Sequence, residues 1–219
     1  MTRSTSARLA GFAFLIYIVV GVLLMVIGPG EGEGTAARLA DLASHQREAR
    51  VALLLSPILW ISALVLAVTL YAITREVDRE LALMVLVCRA GEGIVGAAGT
   101  LTSLSLLWLA TEAGAAPDTT LGSLLFRAEG WNVLVSALLF ALGSAVFSWL
   151  LVRGRLVPLI LAWLGVVASV LLVVALPLRM AGLIEATVVN LLWIPMALFE
   201  IPLAVWLIVK GVAPPRHPA

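Results

Sequence analysis

The chain alternates between long apolar runs and short polar breaks. Six runs are long enough to cross a bilayer, at about 9–27, 51–73, 81–110, 131–152, 156–178 and 186–209. A span needs about 20 predominantly apolar residues at about 1.5 Å rise per residue. Backbone groups in lipid must be satisfied within the chain, and none of the runs alternates like a barrel strand, so each predicts an α-helix. The fold class that follows is all-α: a polytopic bundle of six transmembrane helices forming a single domain over 1–212. The proline-rich tail over 213–219 reads as disordered. The first run follows Arg3 and Arg8 but is longer than the roughly 7–15 residues of a signal-peptide core, and Gly28-Pro29-Gly30 reads as a turn, not a cleavage site. It is therefore read as a retained span.

Composition strengthens this reading. Apolar residues make up 62% of the chain and charged residues 12%, against about 45–50% and about 25% in soluble domains. A soluble fold of this length could not hide so much apolar surface, so lipid is the expected partner and solvent. A net charge of +1 and the lack of a basic cluster give no case for nucleic acid. Cys88 is the single cysteine, which rules out an intrachain disulfide. The Ala, Leu, Val, Gly and Arg bias suits a bacterial chain.

Charge also sets the expected orientation. With the N-terminus inside, the inner segments carry Arg3, Arg8, Arg75, Arg79, Arg153, Arg155, Lys210 and Arg216 against Glu76, Asp78 and Glu80. The outer segments carry Arg38, Arg47, Arg50, Arg127 and Arg179 but more acids: Glu31, Glu33, Asp41, Glu48, Glu112, Asp118, Glu129 and Glu185. The positive-inside rule then places both termini in the cytoplasm and the bundle in the cytoplasmic membrane. The inner loops are tight, so spans two and three, and four and five, are expected to pack as antiparallel neighbours. Outside, Gly28 to Gly34 reads as a turn and Thr35 to Arg50 as a helix, with Thr35 as its cap and Leu39, Leu42 and Ala43 as its apolar stripe. Such a helix either lies on the membrane or extends span two. Glu112 to Thr120 reads as a second outer loop.

Three charges fall inside the spans. Arg89 and Glu92 interrupt the third and Glu200 the sixth. A charge at the bilayer centre costs at least about 2.5–3.5 kcal/mol, so it normally has a partner and a role. Glu92 lies roughly 18 Å from the inner end of its span and Glu200 roughly 15 Å from the inner end of its own, which puts both near the middle of a core about 30 Å thick. Arg89 shares a helix face with Glu92 at i,i+3. If spans three and six touch, Arg89 bridges both carboxylates and leaves one negative charge in excess. Either a proton on one glutamate or a cationic ligand then balances the site. The simpler alternative is a lock, in which the ion pairs only fasten helices together. Arg89, Glu92 and Glu200 are the candidate proton, ion or ligand site, with no catalytic residue, cofactor or metal implied.

Several neighbours extend the pattern. Pro195 and Pro202 flank Glu200, and each frees a carbonyl one turn earlier that can line a wet cavity or merely mark a kink. Ser56-Pro57 makes a similar break in span two, followed by Trp60 and Ser62. Gly91, Gly93, Gly96 and Gly99 pattern span three, with Gly93 and Ala97 as a small-xxx-small pair for close packing. Asn132, Ser136, Ser144 and Asn190 read as interhelical hydrogen-bonders. Glu129 and Asn132 extend a polar path outward if they face the bundle. Each half of the chain ends in a span with a buried glutamate, a faint pointer to inverted repeats. His45 and His217 lie outside the spans, which excludes paired-histidine haem ligation, a histidine-based intramembrane zinc site and a serine–histidine protease. There is no Walker motif.

Five segments taken in order carry a likeness: Ala7-Arg8-Leu9-Ala10-Gly11; Arg89-x-x-Glu92; Arg153-Gly154-Arg155-Leu156-Val157-Pro158; Pro195 through Glu200; and Trp206-Leu207-Ile208-Val209-Lys210-Gly211. Over nearly its whole length the chain resembles the bacterial domain-of-unknown-function 4386 family of integral membrane proteins. The resemblance implies six helical spans and carries over no catalytic or binding residue. The leading functional expectation is a small transporter or permease-like protein using Glu92 and Glu200 with Arg89 as counter-ion. The alternatives are a non-enzymatic membrane partner or regulatory subunit in which the charges only lock the bundle, and, behind it, a lipid-modifying enzyme using the carboxylates as acid and base.

Overall fold

Each apolar run forms one helix, and the polar breaks set where the helices turn. The computed structural model describes residues 2–28, 32–111 and 119–214. These form α1 (Arg3–Ile27), α2 (Thr35–Ser44), α3 (Gln46–Thr74), α4 (Arg79–Thr111), α5 (Thr119–Gly154), α6 (Leu159–Met180) and α7 (Ala186–Val209), with no β-strand among the described residues. All except α2 are long and apolar enough to span a membrane. Large apolar side chains point away from the bundle: Ile160 is 88% exposed, Val26 78% and Leu54 76%. Only lipid can cover that belt. Glu31, Glu112 and Asp118, most of the outer loop at 112–120, Pro29-Gly30 in the first turn, and the tail from 215 with Arg216 and His217 lie outside the described residues.

The six long helices close into a ring. α1 packs on α3, α3 on α4, α4 on α5, α5 on α6, α6 on α7, and α7 returns to α1. The antiparallel neighbours expected from the tight inner loops, α3 with α4 and α5 with α6, are adjacent in this ring. Lipid supplies no hydrophobic drive for helix association, so the seams depend on small residues that let backbones approach. A Cβ on Gly11 of α1 would stand 2.6 Å from the Ala204 carbonyl oxygen of α7. A Cβ on Gly165 of α6 would stand 2.5 Å from the Phe199 ring and from Ser148 Oγ. Inside the ring, Phe14, Phe140, Phe147 and Phe199 are fully buried, together with Arg89.

One end of the ring is tied by its loops. Arg3 pairs with Glu76 at 3.4 Å, Arg153 pairs with Asp78 at 2.7 Å, and the Ala213 N–H donates to the Leu156 carbonyl at 3.0 Å. Asp78 also caps α4 by accepting from the Leu81 N–H at 3.1 Å. That backbone bond, with Arg153 beside it, holds the Asp78 carboxyl below the usual carboxylate range. Both ends of the described chain and the α3–α4 and α5–α6 turns therefore share this end, termed the terminal end below.

The opposite end carries α2. The helix expected from Thr35 to Arg50 is two helices, broken at His45 (φ −108°). Gln46 to Arg50 extend α3, whereas Leu39 and Leu42 of α2 bury against Leu106, Leu107 and Leu109 of α4. Thr35 is the first helical residue and not the cap; Gly34 holds the cap position at φ 90°, a conformation that favours glycine. α5 begins at Thr119, well before Trp131, because it continues past the membrane core to meet α2. At 36 residues, α5 is about 54 Å long, well beyond the roughly 30 Å of hydrocarbon.

The α1–α7 seam gives a direct test. Gly11→Ala forces a methyl onto backbone and is expected to destabilise by about 1–3 kcal/mol. Gly130→Ala, where a Cβ meets nothing within 4 Å, is expected to be neutral or slightly stabilising. Cys88 is the single cysteine and is buried, so a thiol-reactive fluorophore added during heating reports both transitions.

Candidate functional site

The centre of the ring is built around one cation. Arg89 on α4 is 0% exposed and is the largest fully buried side chain. Its Nη1 donates to Glu92 Oε2 at 3.0 Å. Its Nη2 donates to Ser144 Oγ on α5 at 3.2 Å and reaches Glu200 Oε1 on α7 at 3.5 Å. The guanidinium carbon lies 4.4 Å from the centre of the Phe140 ring and 5.6 Å from that of Phe14, so aromatic faces fill the space that water would otherwise occupy. Gly143 makes room for this arrangement: a Cβ there would lie 3.1 Å from the Cys88 Cβ and 3.6 Å from the Arg89 Cγ.

The sequence brings Arg89, Glu92 and Glu200 to one depth, and the structure joins them without contact between their two helices. Among the described residues, α4 and α7 do not pack against each other. Arg89 instead crosses the open centre of the ring, and the length of its side chain makes up for the missing helix contact. Glu92 is 2% exposed and Glu200 4%. The second oxygen of Glu92, Oε1, accepts a 2.6 Å hydrogen bond from the Tyr17 hydroxyl of α1, and its backbone carbonyl accepts from Ser136 Oγ at 3.2 Å. Four helices thus converge on one polar cluster: α1, α4, α5 and α7.

Above Glu92, on the side away from the terminal end, the ring is not filled. A cavity of about 760 Å³ runs between α1, α3, α4, α5 and α7, with Glu92 and Tyr17 at its floor. Its wall carries Ser56 and Trp60 of α3, Asn132 and Glu129 of α5, and Asn190 and Trp193 of α7. Glu129 is held by Ser103 Oγ of α4 at 2.6 Å. Glu129 and Asn132 therefore face the bundle, as a polar path toward that end requires. Arg89 and Glu200 do not line the cavity. They sit one turn beyond its floor, toward the terminal end. Beyond them Leu70, Leu150, Leu203 and Leu207, all 0% exposed, fill the ring.

The glycines and prolines divide between packing and cavity. Gly93 lies against the Trp60 carbonyl, and a Cβ on Gly99 would collide with the Asn132 amide, so both serve close approach. Gly96 has ordinary space, 3.7 Å to the Trp60 Cβ, and all three glycines also form part of the cavity wall. α7 stays helical through Pro195 and Pro202, and neither proline lines the cavity. The carbonyls they free belong to Leu191 and Leu198, both 60% exposed on the outside of the ring. Neither Leu191 nor Leu198 lines the cavity. Ser144 and Ser136 are interhelical hydrogen-bonders, whereas Asn132 and Asn190 line the cavity.

Tyr17, Phe14 and Phe140 are the site residues that sequence reading passes over. A signal for Tyr17 was present, since a tyrosine hydroxyl in mid-span needs a partner. The two phenylalanines carry no such mark among so many apolar neighbours.

The fold and its centre define a multi-pass helical membrane protein with a shared-arginine carboxylate cluster. The chain belongs to the Domain of unknown function (DUF4386) family, whose model matches residues 9–211. No curated protein and no solved structure matches the chain.

Removing the shared cation strands two buried carboxylates. Arg89→Leu is expected to cost about 3–5 kcal/mol, and Arg89→Lys to recover only part of that, because a single ammonium cannot fork between Glu92 and Glu200. Glu200→Gln leaves the 3.0 Å Arg89–Glu92 pair in place and is expected to cost the least of the three. Denaturation in lipid discs followed by circular dichroism ranks them.

Proposed function

We propose that the chain is a small permease-like transporter whose solute enters the cavity and meets Glu92. The observation that carries this reading is the asymmetry of the ring interior: open above Glu92, filled with leucine below Glu200, and divided by a charge cluster. Alternating-access transporters need such a closed half and an open half around a central site. The charge bias of the loops supports a cytoplasmic terminal end, with the cavity opening outward. In this reading Arg89 is the counter-ion that keeps Glu92 and Glu200 in the bundle when the site is empty. Exchange of Arg89 between the two carboxylates couples the cavity to the sealed half.

The second reading is a membrane partner or regulatory subunit in which the cluster is a lock. What favours it is the saturation of the cluster, since Glu92 accepts at both oxygens and Arg89 spans three partners within the chain.

Cysteine accessibility separates the two. In a Cys88→Ser background, Thr100→Cys on the cavity wall and Leu203→Cys in the sealed half are treated with a membrane-impermeant maleimide on either side. The permease reading expects Thr100→Cys to react from the outside and Leu203→Cys to react slowly from the cytoplasm, the latter abolished by Glu200→Gln with the fold intact. A Leu203→Cys that never reacts from either side, in protein that remains folded, leaves the lock.

A further inference from the structure

We propose that the cavity takes an organic cation with an apolar body, its charge drawn to Glu92 and Glu129 and its body laid against Trp60 and Trp193. This deepens the permease reading by naming the class of solute.

Charge comes first. Among the described residues, the acidic side chains that line the cavity are Glu92 and Glu129, and no lysine, arginine or histidine lines it. Arg89 stands behind Glu92, outside the wall. The cluster sets two carboxylates against the single guanidinium of Arg89, and Glu129, with Ser103 donating to it, adds a further carboxylate. An anion entering this space meets like charge in a low-dielectric wall, whereas a cation is attracted along its length.

The rest of the wall decides between inorganic and organic. No group of three metal-ligating side chains converges among the described residues. Tyr17, Trp60, Phe140 and Trp193 instead give the cavity aromatic surfaces, with Leu59 and Ile194 between them. Aromatic faces bind ammonium-type cations by their quadrupoles and also bury apolar groups. The volume of about 760 Å³ lies in the range of small-molecule sites. Its two carboxylates stand well apart. Ser103, which holds Glu129, lies roughly 16 Å above Glu92 along α4 at about 1.5 Å per residue. That separation suits an elongated body, or a cation that is passed from Glu129 at the entrance to Glu92 at the floor.

The test uses the full chain in lipid discs and tetraphenylphosphonium as the probe, with tetraphenylborate as the anion of matching shape and empty discs as the baseline. Equilibrium dialysis is expected to show saturable binding of the cation and none of the anion. Glu92→Gln is expected to weaken binding by about thirtyfold or more. Glu129→Gln, which can keep the bond to Ser103, is expected to weaken it by about threefold. Gly96→Leu adds bulk to the wall with no change of charge and is expected to abolish saturable binding. Should Glu92→Gln fail to fold, the other two variants still decide the question. Equal binding of the anion, no saturable binding of the cation, or cation binding unchanged in both Glu129→Gln and Gly96→Leu would overturn the proposal. The two readings fail separately. Cation binding with a sealed half that never opens removes the permease and keeps the cation site. A sealed half that opens without cation binding does the reverse.

Discussion

A guanidinium at the centre of a lipid-embedded ring must be surrounded by acceptors, and the rest of the structure depends on that requirement. Arg89 is fully buried, and its fork is divided between Glu92 on its own helix, Ser144 on α5 and Glu200 on α7. No apolar contact substitutes for these partners, because desolvating a cation costs several kcal/mol unless charge-assisted hydrogen bonds replace the water. The register of α4 against α5, and the rotation of α7 about its axis, are therefore tied to one side chain. Small residues then let the backbones close around it. Gly143 admits the arginine stem, Gly11 closes α1 on α7, and Gly165 seats Phe199 next to Glu200.

The same requirement explains why the ring is filled on one side and open on the other. Below the cluster, leucine and phenylalanine side chains meet across the centre. Above it, α4 presents Gly93, Gly96 and Gly99 and α5 presents Asn132 and Ser136, residues too small to fill a six-helix ring. Tyr17 closes the floor by donating to the oxygen of Glu92 that Arg89 leaves free. In the proposed permease, this carboxylate, fixed from below by an arginine and from the side by a phenol, is the group that meets the solute from above. The cluster belongs to the architecture and to the proposed site at once.

Much of this was legible in the sequence, for physical reasons that differ by element. The six spans follow from run length, because lipid enforces helices and penalises long polar breaks. Arg89, Glu92 and Glu200 stand out because charges are rare at that depth, and the rise per residue gives their common level. How they meet was not legible. Depth arithmetic carries no information on rotation about the helix axis, so whether α4 and α7 touch stayed open; in the ring that exists they do not, and Arg89 spans the gap. The start of α5 at Thr119 was hidden because Thr119 to Gly130 is polar enough to read as loop until α2 is there to pack on it. The cavity was least legible. It depends on Gly96 lining the interior and Pro195 not lining it, and residue type marks neither.

A double-mutant cycle between Arg89 and Glu200 tests the shared arginine most directly. The unfolding free energies of wild type, Arg89→Leu, Glu200→Leu and the double variant would be measured in one lipid system. Direct pairing across the ring predicts a coupling of about 1–3 kcal/mol, with the double variant more stable than the two single losses add up to. Losses that add to within about 0.5 kcal/mol would mean that Arg89 serves Glu92 alone, that Glu200 is held by something else, and that no single cation organises the ring.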